Sequence, residues 1–152
     1  MVGFCYIIQN MMSKIILTKL VKFWIPPILW ALIIFSFSSF TVGYATEIYW
    51  KDFLVKKTAH ILEYGIFATF LYRAMINSGI KNKKAMWLAV IYSFLYGITD
   101  ELHQSFTPGR EATLRDVLID TLGASIFIFA IIGNIKKMPK ILRNIYIKYQ
   151  II

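Results

Sequence analysis

The sequence predicts an all-α membrane protein with four transmembrane helices, at about 23–46, 58–76, 85–105 and 114–135, followed by a short amphipathic helix. Of the 152 residues, 58% are hydrophobic and 16% are charged, whereas soluble domains have about 45–50% apolar and about 25% charged residues. Four segments contain the roughly 20 mostly apolar residues that a spanning helix needs. The basic residues are also segregated along the chain, as membrane proteins require.

The first predicted span, 23–46, contains no charged residue. Pro26 and Pro27 then fit its first turn, where proline costs little because the first backbone N–H groups of a helix have no intrahelical acceptor. Residues 1–13 are uncharged but too few to cross a bilayer, so we expect them to be interfacial or disordered.

Two alternatives concern the amino end. Translation from Met11 or Met12 would place a lysine close to the start of the chain. Three lysines, an apolar run and the small residues of Gly43-Tyr44-Ala45 also imitate a secretory signal with a cleavage site. The apolar run is longer than a typical signal core, which favours the spanning helix over a cleaved signal.

The other three predicted spans carry polar residues towards their ends. In chain order these are His60, Glu63 and Arg73, then Asp100, Glu101, His103 and Gln104, then Arg115, Asp116 and Asp120. Pro108-Gly109 is a turn signal that returns the chain from the third span to the fourth. Because a bilayer makes ionisable side chains expensive, a cluster at this depth predicts a functional site.

The last residues, 138–152, predict an amphipathic helix on the inner leaflet. Ile141, Ile145 and Tyr149 recur at every fourth position, with basic residues between them. The sequence contains no internal repeat and no long linker, so 1–152 is predicted to be one membrane domain with a core at about 22–135.

Lysine and arginine residues fall mainly on one predicted side of the membrane. The amino end, the loop between the second and third spans, and the carboxy end together carry twelve of the 17 basic residues. The eight acidic residues fall on the opposite side or in the adjoining helix halves. Because excess lysine and arginine mark the cytoplasmic side, both termini are predicted to be cytoplasmic and the acidic motifs to face outward.

Composition also excludes several classes of function. The net charge of +9 would indicate nucleic-acid binding in a soluble protein, but here the cations fit cytoplasmic loops and anionic lipid, so no nucleic-acid partner is predicted. The single cysteine, Cys5, excludes an internal disulfide and a cysteine-based metal cluster. The chain has no HExxH motif, CxxC pair or glycine-rich phosphate loop, so soluble nucleotide chemistry is not expected.

Helical spacing brings the polar residues to shared faces. Lys57, His60 and Tyr64 follow an i, i+3, i+7 stripe, while Asp116 and Asp120 lie one turn apart. All of these face the same bilayer surface, so they predict one polar cavity open to the outside. The predicted cavity residues are Lys57, His60, Glu63, Asp100, Glu101, His103, Gln104, Arg110, Asp116 and Asp120.

Roles follow from the chemistry of these side chains. Glu101, Asp116 and His60 are the candidates for proton transfer, and Arg110 is the candidate for contacting an anionic group, because its guanidinium matches phosphate or carboxylate at two points. The remaining predicted residues are assigned to ligand binding. A divalent cation held by carboxylates and imidazole is possible, although its identity is unknown.

Structural explanations compete with these roles. Asp116, with Thr113 three residues earlier, could cap a helix and compensate its dipole. Glu63 could pair with Lys57 or Arg110, and the acids at the end of the third span could be solvated at the membrane interface. Asp120 is harder to explain in this way because it lies about 6 Å deeper than Asp116.

The motif residues resemble those of the VanZ-like family of small bacterial membrane proteins. The resemblance consists of Lys57-x-x-His60, a DExxQxFxPGR run from Asp100 to Arg110, Asp116 and Gly123, together with the 30–39 stretch of the first span. The DExxQxFxPGR run is specific, whereas the Lys-x-x-His pair alone is weak. This chain has Asp120 where the family pattern usually has asparagine, which adds a potential charge to the site.

The resemblance implies a multi-pass protein of the bacterial cytoplasmic membrane that acts in the cell envelope. The founding member is associated with low-level resistance to the glycopeptide teicoplanin, and no settled reaction accompanies the family. Three functions are therefore open: binding or modifying a lipid-linked or cell-wall component at the outer leaflet, metal-assisted chemistry on a phosphorylated or acylated lipid, and proton-coupled transport. A membrane lipid or lipid-linked envelope component is the expected partner, and the oligomeric state is open.

Overall fold

The computed structural model describes residues 2–40, 49–107, 110 and 112–151, which are all-helical apart from short connections. The helices are α1 (Val2–Ser38), α2 (Tyr49–Asn77), α3 (Asn82–Gln104), α4 (Leu114–Ser125) and α5 (Lys140–Lys148). After α4 the chain continues as a π-helical turn, Ile126–Ile131, and a 3₁₀ turn, Ile132–Lys137. The described residues contain no strand, so the predicted all-α class is confirmed.

The first helix differs from its prediction at both ends. It begins at Val2 rather than near 23, so Pro26 and Pro27 lie inside α1 and not in a first turn. The lysines, leucines and isoleucines of residues 14–22 are helix-compatible, so nothing stops the helix ahead of the prolines. Residues 2–13 belong to this helix, and their interfacial position stays a prediction.

The carboxy end of α1 is at Ser38, and the predicted end at 46 falls outside the described residues. The N–H groups of Ser39 and Phe40 donate to carbonyls one turn back, at 3.1 Å to Phe35 O and 3.3 Å to Phe37 O. These bonds use carbonyl groups that a helix end otherwise leaves unpaired. The alternative cleavage site at Gly43-Tyr44-Ala45, like the predicted Pro108-Gly109 turn, lies outside the described residues.

Among the described residues, two helical stretches are long and apolar enough to cross a bilayer: Leu17–Ser38 of α1, and Leu114–Lys137, which joins α4 to the two turns that follow it. In the first, apolar side chains such as Leu29, Leu32 and Phe35 are exposed on the surface of the protein. An exposed apolar surface of this length is costly in water and favourable in lipid. The fold therefore indicates a membrane protein.

Helix α2 lies at the centre and contacts α1, α3 and α4. Its stripe of Tyr64, Ala68, Tyr72 and Met75 is buried, at spacings of four, four and three residues, which keeps one helical face towards the core. Packing of this stripe against three helices fixes the position of α2 in the bundle.

A glycine brings α4 close to this central helix. A Cβ atom built on Gly123 would lie 2.5 Å from the carbonyl oxygen of Ile61, so no larger residue fits without moving the backbone. Asp120 lies three residues before Gly123 and His60 one residue before Ile61. The same close approach therefore brings Asp120 towards His60.

The other end of the bundle is closed by the carboxy-terminal segment. Tyr146 and Ile151 pack against the hydrophobic core. Arg73 Nε donates to Tyr149 O at 2.7 Å, and Asn77 Nδ2 donates to Gln150 O at 3.0 Å. We call this the closed end, comprising Trp24, Arg73, Asn77, Ser78 and residues 146–151.

Helix α5 confirms the predicted short helix after Pro139. The side chains of the predicted stripe, Ile141, Ile145 and Tyr149, are exposed, and their position on the inner leaflet stays a prediction. The segment is more closely attached to the bundle than expected, because Tyr146 and Ile151 face the core.

Candidate functional site

A cavity of about 410 Å³ opens at the end of the bundle opposite the closed end. The carboxy ends of α1 and α3 and the amino ends of α2 and α4 surround it, and we call this the cavity end. Seven of the ten predicted residues line the cavity: Lys57, His60, Glu63, Asp100, Gln104, Arg110 and Asp116. The structure thus brings together residues that are up to 59 positions apart in the sequence.

His60 is paired with Asp120. The Nδ1 atom of His60 lies 3.0 Å from Asp120 Oδ1, and Asp120 is completely buried behind the cavity wall. An Asp120 carboxylate accepts a hydrogen bond, so Nδ1 of His60 carries the proton that it donates. In the neutral ring, Nε2 is then the nitrogen that can accept a proton. Asp120 therefore orients His60 instead of lining the cavity itself.

Lys57 is paired with Asp116. Lys57 Nζ lies 2.6 Å from Asp116 Oδ1, and the two side chains are only 15% and 13% exposed. The Thr113 side chain makes no capping hydrogen bond, so a capping box at the start of α4 is not formed. The alternative partner for Lys57, Glu63, is also not used, because the lysine turns to Asp116.

Asp100, Gln104 and Arg110 form a network with Tyr64. Asp100 Oδ2 accepts hydrogen bonds from Gln104 Nε2 at 2.9 Å and from Tyr64 Oη at 3.4 Å. Arg110 Nη1 in turn donates to Gln104 Oε1 at 3.1 Å. Tyr64, which belongs to the α2 stripe but was not among the predicted site residues, thus supports the network from the core.

Arg110 also fastens the end of α1. Its Nη2 atom donates to Phe37 O at 3.1 Å and to Phe40 O at 3.0 Å, and its Nε atom approaches Phe40 O at 3.3 Å. A cation near the carboxy end of a helix is favourable because it meets unpaired carbonyl groups. All three guanidinium nitrogens therefore have protein acceptors, and anion binding by Arg110 stays a prediction.

Besides Asp120, the predicted site residues Glu101 and His103 do not line the cavity. Glu101 Oε2 accepts a hydrogen bond from the backbone N–H of Thr113 at 2.9 Å, which fixes the start of α4 against α3. The His103 ring stacks on Phe35 with centroids 4.2 Å apart, and its Nε2 lies 3.0 Å from Ser39 Oγ. The structure gives both residues contacts that position helices.

Some acceptors at the cavity have no partner. Ser38 Oγ and Asp100 Oδ1 are buried without a hydrogen bond, and both residues line the cavity. Glu63 is half-buried there, and no described residue donates to its carboxylate. Buried polar groups are normally paired, so unpaired ones require an explanation.

Helix α1 supplies lining residues that the sequence did not single out. Ile34, Phe37, Ser38 and Phe40 form an apolar wall with one hydroxyl group in it. The uncharged span gave no local signal for which of its faces meets the polar helices. Only the sequence Phe37-Ser38-Ser39, which is part of the family resemblance, pointed to this stretch.

The described residues include no group of three or more histidine, cysteine, aspartate or glutamate side chains placed to hold a metal ion. The possible divalent cation therefore has no matching site among them. What the arrangement provides is an imidazole oriented by a buried carboxylate beside a polar cavity, which is the arrangement of an oriented acid or base.

Comparison with known families gives one match. The VanZ/LLP1 family model matches residues 8–136, so it includes every residue of the cavity and most of the described fold. No curated protein and no solved structure matches the chain. The match agrees with the resemblance in the motif residues, and the chain belongs to the VanZ/LLP1 family.

Proposed function

We propose that this protein binds or modifies a lipid-linked or cell-wall component at the outer face of the bacterial cytoplasmic membrane. The observation that carries the proposal is the cavity of about 410 Å³ with its charged and unpaired polar lining. Ligand pockets in proteins typically measure about 300–1,000 Å³ and combine apolar walls with a few convergent polar groups. This cavity has both properties.

The proposal includes four spanning helices with both termini in the cytoplasm. Helices α2 and α3 have 29 and 23 residues, which exceeds the roughly 20 that a span requires. Lys57, His60 and Glu63 of α2 and Asp100 of α3 line the cavity, and Glu101 is buried, so these charges need not face lipid when the helices cross the bilayer. The distribution of lysine and arginine then orients the cavity end outward.

Cysteine accessibility tests this topology. In a Cys5→Ser background, single cysteines at Lys51 and Thr107 should react with an impermeant thiol reagent in intact cells. A cysteine at Lys83 should react only after the membrane is opened. Labelling of position 83 from outside would contradict the proposed orientation.

The mouth of the cavity favours an amphiphilic ligand. Phe37 and Phe40 line the cavity and are 58% and 65% exposed, while Asp100 deeper in the cavity is 3% exposed. An aromatic rim beside a polar interior accommodates a molecule with an apolar part and a polar head. An envelope lipid has this construction.

A modifying activity is favoured by His60. The ring lines the cavity and is oriented by the buried Asp120. A histidine held in this way can accept a proton from a hydroxyl or amine of the ligand, or donate one to a leaving group. Among the predicted proton-transfer residues, His60 has the most suitable surroundings, since Asp116 is bound to Lys57 and Glu101 to the start of α4.

Antibiotic susceptibility provides the functional test. Expressed in a susceptible bacterium, the wild-type protein should shift sensitivity to teicoplanin or another envelope-directed agent. Lys57→Gln and His60→Gln should abolish the shift at unchanged protein level. Lys84→Gln is the matched control, because Lys84 is exposed at the start of α3 outside the cavity. Full activity of Lys57→Gln and His60→Gln would contradict the proposal.

A further inference from the structure

The positively charged side chains of the cavity have partners within the protein, whereas several of its hydrogen-bond acceptors do not. Lys57 is bound to Asp116, and Arg110 donates from all three nitrogens to Gln104 and to two α1 carbonyl groups. Lys56, which also lines the cavity, has a partner of its own. The positive groups that would attract an anion are therefore already engaged by the protein.

Several hydrogen-bond acceptors of the cavity, in contrast, are unpaired. Asp100 Oδ1 and Ser38 Oγ have no hydrogen-bond partner, and both residues are only 3% exposed. The carboxylate of the partly buried Glu63 accepts no hydrogen bond from any described residue. A carboxylate only accepts hydrogen bonds, and leaving such an atom buried and unpaired costs about 1–3 kcal/mol or more. The missing partner is thus a hydrogen-bond donor, and two nearby carboxylates favour one with positive charge.

We propose that the cavity recognises the primary ammonium group of an amphiphile, which donates N–H bonds to Glu63, Asp100 Oδ1 and Ser38 Oγ. This inference rests on the proposed function and specifies the chemistry of its ligand. A primary ammonium group offers three donors and one positive charge, which matches three acceptors of which two are anionic. The apolar part of the molecule lies at the rim formed by Phe37 and Phe40.

A metal ion fits these residues less well. Ca²⁺ and Mg²⁺ take about six or more oxygen ligands and Zn²⁺ takes about four ligands, whereas the described residues include no metal-ligating group of three or more acidic, histidine or cysteine side chains. An organic ammonium group needs fewer acceptors. A head group also fits the cavity volume of about 410 Å³, whereas acyl chains would extend along the exposed apolar face of α1.

Lipid binding to the full-length protein tests the inference. The protein in detergent is titrated with phosphatidylethanolamine, phosphatidylcholine or phosphatidylglycerol of the same acyl chains, and bound lipid is counted by native mass spectrometry. Phosphatidylethanolamine should bind about tenfold more tightly than the other two. Phosphatidylcholine lacks N–H donors and phosphatidylglycerol lacks the amine, while all three keep the phosphate. Equal binding of the three lipids would overturn the inference.

Variants connect this preference with the cavity. Glu63→Gln keeps the shape of the side chain and removes its charge, and no described residue donates a hydrogen bond to that carboxylate, so the folded protein should remain and the preference should fall about tenfold. Ser38→Ala should reduce the preference by a smaller factor. Ser36→Ala is the matched control, because the Ser36 hydroxyl bonds to Leu32 O on the exposed side of α1. An unchanged preference in Glu63→Gln would overturn the inference.

A soluble competitor distinguishes the two sources of such an amine. Glycerophosphoethanolamine carries the same head group without acyl chains and should compete poorly. Competition as strong as that of the lipid would contradict the inference that the ligand is an amphiphile, and would assign the cavity to a soluble amine. This test and the susceptibility test can fail independently. If the protein showed no preference for amine lipids, the proposed function would still stand as long as the susceptibility shift depended on His60 and Lys57.

Discussion

The polar groups at the two ends of the bundle differ in how completely they are hydrogen-bonded. At the closed end, side-chain donors meet acceptors: Arg73 and Asn77 donate to carbonyl groups of Tyr149 and Gln150, and Trp24 Nε1 donates to Ser78 Oγ at 3.0 Å. At the cavity end the cations are paired in the same way, but several acceptors are not. Pairing at the closed end attaches the carboxy-terminal segment to the bundle.

This difference separates structural polar groups from candidate functional ones. Buried polar atoms are normally paired, and outside the cavity Tyr72 Oη and Ser93 Oγ are exceptions, both of them hydroxyl groups. At the cavity end, the carboxylate atom Asp100 Oδ1 and the hydroxyl of Ser38 are unpaired beside open space, and our proposal is that a ligand completes them. Four changes, from the largest expected effect to the smallest, test whether the two ends are distinct in this way.

The largest effect is expected where α4 approaches α2. Gly123→Ala places a Cβ atom 2.5 Å from Ile61 O, and a backbone atom cannot yield as a flexible side chain can. We expect a loss of about 3 kcal/mol, at the upper end of overpacking costs, measured by thermal unfolding in detergent. Gly133→Ala is the control, because its Cβ would meet the flexible end of Met86 at 3.3 Å. Equal stability of the two variants would show that the close approach is not required.

The next effect concerns the pair at the cavity wall. Asp120→Asn keeps the volume of the side chain but weakens its hydrogen bond to His60 Nδ1. Hydrogen bonds to charged groups contribute about 1.5–3 kcal/mol, so we expect a destabilisation in that range. A double-mutant cycle with His60→Gln measures the coupling directly. A coupling near zero would mean that Asp120 does not orient the ring.

A smaller effect is expected for the ion pair at the cavity mouth. Replacing Lys57 by Met and Asp116 by Asn, singly and together, should give a coupling of about 1 kcal/mol, since the pair is close but partly solvated. A second double-mutant cycle, with Arg115→Met and Asp116→Asn, is the matched control. Arg115 is 64% exposed and 3.6 Å from Asp116, so its coupling should be near zero. A larger coupling for Arg115 than for Lys57 would reverse the assignment of partners.

The smallest effect is expected at the closed end. Asn77→Ala removes hydrogen bonds to Arg73 O and Gln150 O, and should cost about 0.5–1.5 kcal/mol. Lipid preference and antibiotic susceptibility should not change, because this end is separate from the cavity. Loss of either property in Asn77→Ala at normal protein level would mean that the two ends are coupled.

The sequence predicted the polar residues of the cavity better than the apolar residues that line it. Lys57 and His60 on one helix, and Asp116 and Asp120 on another, follow from helical spacing and from the cost of charge in lipid. The spacing could not show that Asp120 would stand behind His60, because that depends on how closely Gly123 lets two helices approach. Pairings between helices are set by packing that local patterns do not encode.

Helix α1 was the least predictable element. Its apolar run looks alike on all sides, so no pattern indicated that Ile34 and Ser38 would face the cavity or that Arg110 would bind Phe37 O. Pro26 and Pro27 suggested a start that the longer helix overrides. Glu101 was likewise given a catalytic role from its position at a helix end, whereas it binds the N–H of Thr113.

The most direct test of the central claim compares one variant at each end of the bundle in the same cells. Glu63→Gln and Asn77→Ala are expressed at equal level, and the shift in susceptibility to an envelope-directed antibiotic is measured against the wild type. The account predicts that Glu63→Gln loses the shift, because the ligand has lost its anionic partner, while Asn77→Ala keeps it. Retention of the full shift by Glu63→Gln would contradict the role of Glu63 as the anionic partner of the ligand, and loss of the shift in Asn77→Ala would contradict the assignment of function to the cavity end.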